Sequence, residues 1–376
     1  MKRFYLHIVS VLSCICLLMS CGSDNTEGIT VYGGIKHDGY LSISDFGCYK
    51  TTGAVLAGKA YMAGGYAINK DSNEYLLDKV NIIDFLSGKV AKELTMGRAR
   101  ANMVAVGSYN QAYFAGGDVM NALQITESDE VSILTYEGEW RPSTMKLSEP
   151  RTRFAGGLAG SRMLFAGGYS QGAYLSSVDI FNLNQNYDHT VDRLLVPRAD
   201  LASATVNNYI FFAGGRNENG PCSEVEIYDV NKNYWITDNN AVSSLSEPRF
   251  GLSAESTNGL VLFAGGETSY GYSRRVDIYN VNMREWSTDN LSEARTGMAV
   301  TKSGNFILFA GGKNGENSYS KVVDIYDTRQ GKFVQSLHLR EARAYATALT
   351  IENRVYVIGG LSADGPSQII DIFELN

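Results

Sequence analysis

The chain has 376 residues, 44% of them apolar, and a formal charge of −7. That apolar content supports a large buried core, and the acidic balance excludes general nucleic-acid binding, which needs a basic surface. Tyrosine and phenylalanine are abundant (23 and 15) and proline is scarce (6), a composition suited to many short strands.

Residues 1–20 predict an export signal. Lys2 and Arg3 form a charged start, and the mostly apolar run 6–18 is too short for a stable membrane anchor. The run leads into Leu18-Met19-Ser20-Cys21, which resembles the lipobox of bacterial lipoproteins. The resemblance implies an exported protein, acylated at Cys21 and lipid-anchored to the outer membrane, touching the membrane through that anchor alone. Loss of Lys2 and Arg3 takes the formal charge from −7 to −9 (−7 − 2). Residues 21–29 then read as a polar tether and 30–376 as the folded domain. Of five cysteines, Cys48 and Cys222 stay in that domain, in different repeats, so no disulfide framework is expected.

A spare strand is predicted near Tyr40-Leu41-Ser42-Ile43, followed by seven copies of one pattern. Each copy has an apolar strand, a Gly-Gly pair, a loop, and a strand resembling Val-Asp-Ile-Tyr. The pairs begin at Gly64, Gly116, Gly167, Gly214, Gly265, Gly311 and Gly359, spaced 52, 51, 47, 51, 46 and 48 residues apart. That period in strand-rich sequence predicts a propeller blade of four antiparallel strands. In the sixth copy the strands are expected at 296–301, 306–310, 322–326 and 332–335. First strands are rich in small residues, as in Leu201-Ala202-Ser203-Ala204, which fits crowding near an axis. Fourth strands carry an aromatic in most copies: Trp140, Tyr187, Trp235, Trp286 and Phe333. The seventh copy ends on Ile370-Asp371-Ile372-Phe373 with no fourth strand, so the N-terminal strand is expected to complete it and remove two open edges.

Gly-Gly after an apolar strand, a strand with tyrosine, and an aromatic a few residues on together resemble the kelch repeat. The resemblance covers about residues 30–376 and implies an all-β fold, a seven-bladed kelch-type β-propeller. It does not imply one activity. Two copies depart from the pattern. The first has Val90 where others have an aromatic, and Val131-Ser132-Ile133-Leu134 in the second lacks the acidic residue.

Sixteen residues before each first glycine stand Cys48, Arg100, Arg151, Arg198, Arg249, Arg295 and Arg343. Strand order places them on the same edge as the residues after each Gly-Gly: Tyr66, Asp118, Tyr169, Arg216, Glu267, Lys313 and Leu361. Two readings stand. The arginines tie neighbouring loops together, with Glu149, Glu247, Glu293 and Glu341 two residues earlier as local partners. Alternatively they line a channel mouth and hold an anion, because guanidinium forks suit carboxylate, sulfate or phosphate. The acidic partner is missing before Arg100 and Arg198, where Arg98 and Val196 stand instead. Arg153 and Arg216 add further charge, and the loops 66–79 and 118–130 are longer than the rest.

The candidate ligand site is therefore Arg98, Arg100, Arg151, Arg153, Arg198, Arg216, Arg249, Arg295 and Arg343, with Tyr169, Glu267 and Lys313. The ligand expected there is an anionic small molecule, an acidic glycan or an acidic peptide, with no cofactor and no metal. The copper oxidases built on kelch-like propellers need two histidines with tyrosines. Here His37, His189 and His338 fall at unrelated places in the repeat frame, and His7 is in the signal. By analogy with exported bacterial kelch propellers that are sialic-acid mutarotases, an alternative is sugar ring opening with Glu267 or Asp118 as base. A third reading is a protein-interaction scaffold, which Tyr169 and Tyr270-Gly271-Tyr272 also suit.

Overall fold

The structure, a computed structural model, describes residues 35–42, 47–84, 89–122, 124–237 and 244–375. The expected signal, Cys21, the tether and Ile43 lie outside the described residues. Within them the fold is all-β, with seven four-stranded antiparallel sheets. Their first strands are Thr52–Leu56, Val104–Gly107, Ala155–Ala159, Ala202–Val206, Ser253–Thr257, Ala299–Ser303 and Thr347–Ile351. Each first strand neighbours the next, and the last neighbours the first, so they form a closed cycle. This arrangement is consistent with a β-propeller.

The seventh sheet takes its fourth strand from the other end of the chain. Ile35–Ser42 pairs antiparallel with Ile369–Leu375, in a register that sets Ile35 opposite Leu375, Tyr40 opposite Asp371 and Ser42 opposite Ile369. The sheet would otherwise end on an unpaired strand. Strand direction defines two faces. The loops after each Gly-Gly form one, here called the mouth face. The turns joining first to second and third to fourth strands form the other, the turn face. Ser42 lies at the mouth end of its strand and Ile35 at the turn end.

Alternation along the third strands holds the stack together. Val225 and Ile227 pack forward against Val261, Phe263 and Tyr279 of the next sheet. Tyr228, one residue out of phase, packs back with Phe212 on Leu164, Val178 and Ile180 of the previous sheet. Each such side chain removed from water stabilises the stack by about 1.5–3 kcal/mol. The fourth-strand aromatics sit on the tyrosine of the third strand: Trp235 on Tyr228 at 5.1 Å, Trp286 on Tyr279 at 4.9 Å and Phe333 on Tyr326 at 5.1 Å.

Two expectations need correction. Tyr187 lies in the turn before Asp188–Arg193, with φ 62°, and reaches Tyr113 from there. The first strand of the sixth sheet begins at Ala299, not 296, because Gly297 (φ 63°) turns the chain out of the extended region. Cys48 and Cys222 are buried free thiols, which burial pushes up to about 12 and about 11. Both should therefore resist thiol reagents at pH 7 in the native protein and react on unfolding, as a thiol titration with and without urea will show.

Candidate functional site: the channel mouth

All six ring arginines, Arg100, Arg151, Arg198, Arg249, Arg295 and Arg343, are fully buried. Each reaches from an inter-sheet linker to the third strand of the sheet it precedes. Arg151 pairs with Asp179 and Arg249 with Asp277. Arg198 meets Glu226 at 2.7 Å, Arg295 meets Asp324 at 2.5 Å and Arg343 meets Asp371 at 2.7 Å. The carboxylates also accept backbone amides of the linkers, as from Ser148 to Asp179 (2.8 Å) and Ser246 to Asp277 (3.0 Å). Burial lowers the pKa of Arg249 and Arg295, and the adjacent aspartates oppose that fall.

This placement corrects the expectation of an open arginine-lined mouth: as placed, these guanidiniums have no surface to offer a ligand. Their partner is the acid of the Val-Asp-Ile-Tyr strand, which faces back toward the linker. The glutamates two residues earlier are secondary neighbours: Glu293 lies 3.9 Å from Arg295 Nε, and Glu149 and Glu247 oppose the fall in pKa of Arg151 and Arg249. Glu149 accepts from Ser177 at 2.5 Å and Glu341 from Ser367 at 2.6 Å. The departures among the copies fit the pairing. In the second sheet Ser132 replaces the acid and accepts from Arg100 at 2.5 Å, with Glu130 3.9 Å away. In the first sheet both partners change together, to Cys48 and Asn81, both buried. That joint change was a legible sign of contact in the repeat alignment.

The same arginines link successive sheets through their backbones. The second glycine of each sheet donates its N–H to the arginine carbonyl of the next, from Gly65 to Arg100 (2.9 Å) through Gly312 to Arg343 (2.9 Å), and Gly360 closes the set on Cys48 (2.8 Å). Glycine is required for this approach. At Gly214 (φ 63°) a Cβ would stand 2.6 Å from the Arg249 carbonyl oxygen.

Two residues after each ring position, the backbone turns left-handed in every copy. These residues are Lys50 (φ 50°), Asn102 (51°), Arg153 (54°), Asp200 (55°), Gly251 (62°), Gly297 (63°) and Tyr345 (57°). Backbone bonds join neighbours around the ring: Lys50 N to Tyr345 O (3.1 Å), Asn102 N to Lys50 O (3.4 Å), Asp200 N to Arg153 O (2.8 Å), Gly251 N to Asp200 O (2.9 Å), Gly297 N to Gly251 O (3.2 Å) and Tyr345 N to Gly297 O (2.9 Å). The left-handed conformation costs a residue with a Cβ roughly 1–2 kcal/mol, less for asparagine or aspartate. Glycine avoids that cost in the fifth and sixth sheets. Five other positions keep a side chain in spite of it, and strain of this kind concentrates at binding sites.

Those side chains converge. The Lys50 ammonium lies 5.6 Å from the Tyr66 ring centre and 5.7 Å from that of Tyr345. Burial lowers its pKa, opposed by Asp118 and Asp200 and assisted by Arg153. Asp118 accepts from Tyr66 Oη at 2.7 Å and from Asn102 Nδ2 at 2.5 Å. Asp200 accepts from Arg216 Nε at 2.7 Å and lies 3.5 Å from Arg153. Arg153 covers the Tyr169 ring at 4.5 Å, and Arg216 covers Phe250 at 4.4 Å. Tyr345 lies across Gly297, where a Cβ would meet its ring at 2.5 Å. Burial raises its pKa, with Tyr272, Tyr319, Glu267 and Asp200 adding to the rise.

The sequence-predicted residues therefore divide. Arg153, Arg216, Tyr169, Glu267 and Lys313 stand at the mouth, partly exposed, and the last three bridge Thr152, Phe250 and Thr296. Arg98 lies outward and donates to Asn121 of the second hairpin at 2.5 Å. The six ring arginines lie behind the mouth. Sequence reasoning missed Lys50, Asn102, Asp200 and Tyr345. The available signal was glycine in two copies of one position, which marks a left-handed turn.

The family model of the Kelch motif matches residues 197–237, from the linker of the fourth sheet to just past Trp235. A search of curated proteins finds no match to the chain. The motif and the all-β architecture of four-stranded antiparallel sheets are together consistent with a kelch-repeat fold.

Proposed function

We propose that this chain is a seven-bladed kelch-type β-propeller that binds an anionic ligand, an acidic glycan or peptide, at its channel mouth. The binding cations are Lys50, Arg153, Arg216 and Lys313, backed by the tyrosines of the same ring. The observation that carries this reading is the retention of charged and aromatic side chains at left-handed positions, where glycine serves the fold equally well in two other copies. The buried arginines hold the scaffold that presents them.

The test is binding of acidic glycans and acidic peptides, each against its neutral counterpart, by calorimetry. Arg153→Ala with Arg216→Ala should weaken binding at least about tenfold, the loss of one charge-assisted contact or more, and leave the fold intact. Unchanged affinity rejects the site. Affinity should also fall as pH rises through the lowered pKa of Lys50, since the anion then loses a cation, and Lys50→Arg should abolish that fall.

A second reading, docking of a protein partner, draws on the two long hairpins. Ile68 and Tyr75 of the first sheet's hairpin and the paired Met120 and Ile125 of the second's are exposed apolar residues on consecutive loops. Serine at Met120 and Ile125 should abolish partner capture and spare acidic-ligand binding.

A further inference from the structure

A cleft of about 330 Å³ lies between the outer parts of the second and third sheets. The fourth strand of the second sheet is only Trp140–Arg141, because Pro142 carries no N–H to continue the ladder. In the third sheet the aromatic expected on the fourth strand stands in the turn before it. Asn186 and Tyr187 are both left-handed there (φ 52° and 62°), whereas the matching turns of the fourth, fifth and sixth sheets have one such residue each, Asn233, Arg284 and Gly331. Tyrosine rarely takes this conformation, and its neighbours hold it. The ring meets Tyr113 at 6.2 Å, and Oη donates to Gln111 at 3.2 Å and accepts from Arg141 at 3.4 Å.

His189 takes the place that Tyr187 vacates. Its ring stacks on Phe181, with centres 4.3 Å apart and planes 13° from parallel, and Nε2 lies 2.6 Å from Asp179 Oδ1. Asp179 is fully buried and already pairs with Arg151, so its carboxylate accepts and the imidazole proton sits on Nε2. Nδ1 has no partner among the described residues. Burial, then the Arg151 charge, lowers the His189 pKa, with Asp188 opposing; the ring is then neutral at pH 7 and Nδ1 an acceptor. His37 repeats the arrangement in the seventh sheet, on Phe373 at 5.0 Å and Asp371 at 2.7 Å. Pairing of the chain ends thus makes equivalent two histidines that the sequence places apart. The dyad itself belongs to the scaffold, and the cleft is what the third sheet adds to it.

Among the described residues no aspartate or glutamate lines the cleft. Two lining residues are cations. Lys146 is matched by Asp129 at 2.9 Å, while Arg141 has no carboxylate partner among the described residues. Thr144 and Asn186, both exposed, add a hydroxyl and an amide. The volume falls within the range of small-molecule sites, about 300–1,000 Å³. An unmatched guanidinium fork suits an oxyanion, and an imidazole acceptor suits a hydroxyl.

We propose that this cleft is a second ligand site, for a small hydroxylated oxyanion of monosaccharide size, with Arg141 holding the carboxylate or phosphate group and His189 Nδ1 accepting a ligand hydroxyl. Backbone strain of the kind held at Tyr187 concentrates at ligand clamps. The cleft shares no residue with the channel mouth, so it stands whether or not the mouth binds an acidic ligand.

The test titrates glucuronate, glucose 6-phosphate and glucose into the full chain by calorimetry, with Arg153→Ala and Arg216→Ala in place so that the mouth does not contribute. At least one of the two anions should bind about tenfold or more tighter than glucose, and the one that binds identifies the anionic group. Adding Arg141→Ala should weaken that anion at least about tenfold. Arg141 is exposed, so this variant should melt as its parent does. His189→Phe keeps a ring on Phe181 and removes Nδ1; it should weaken the same anion about threefold, the loss of one neutral hydrogen bond. Absence of binding by both anions up to about 10 mM, or unchanged affinity in the Arg141 variant, overturns the proposal. Anion binding by the native chain that the two mouth substitutions abolish also overturns the cleft, and assigns the anions to the mouth instead.

Discussion

Replacing Asp277 by alanine should lower the unfolding free energy by about 3–5 kcal/mol, because it leaves the Arg249 guanidinium buried and uncompensated. Arg249 is fully buried and donates to the Gly265 and Arg275 carbonyls at 3.1 and 2.6 Å, so it cannot swing into water without breaking the linker. Asp277 also accepts from the Ser246 amide at 3.0 Å, and that donor would lose its partner. Removing both charges together, as Arg249→Met with Asp277→Leu, should cost less than the sum of the single changes by more than about 1 kcal/mol. Urea unfolding of the four proteins measures the cycle. Additive losses would mean that the pair does not act as a unit. The contrast with Arg153→Ala is instructive: that residue is partly exposed, and its loss should affect ligand far more than fold.

Deleting residues 35–42 should have a larger effect still. The strand makes seven register pairs with Ile369–Leu375, and Ile35 packs in the core with Val355, Phe373 and Leu375. It brings an ion pair from Lys36 to Glu374 at 2.8 Å and a bond from His37 to Asp371 at 2.7 Å. Burial of Ile35 alone is worth about 1.5–3 kcal/mol, half-buried Leu41 adds to it, and the truncated chain would expose a long unpaired edge. We expect loss of the cooperative thermal transition and aggregation seen by light scattering. A synthetic peptide spanning 31–46 should restore the transition. A truncated protein that melts as the full chain does would show that the strand is not the seal.

The sequence alone carried the architecture further than the site. Periodic Gly-Gly pairs, alternating third strands and a spare N-terminal strand were enough to expect four-stranded sheets and their closing partner. The reason is physical: strand alternation and left-handed glycine turns are local constraints, and local constraints leave a mark at each position. The Arg-to-Asp pairing was half legible. Arginine recurred at one place and an acid at another, but the glutamate two residues before four of the six arginines was the nearer candidate along the chain.

Only the tertiary structure decided which cations stand exposed at the mouth. Arg151 and Arg153 are two residues apart and carry the same charge, yet one is buried against Asp179 and the other reaches the mouth over Tyr169. The difference arises from the left-handed turn at Arg153, whose carbonyl accepts the Asp200 amide of the next linker at 2.8 Å, and from Asp179, which the third strand of the same sheet carries back to Arg151. What the sequence determined by itself was the repeat, the sheets and the cations available. Which cations remain at the surface was set by the folded sheets, because burial of an arginine depends on the carboxylate that the third strand of its sheet brings to it.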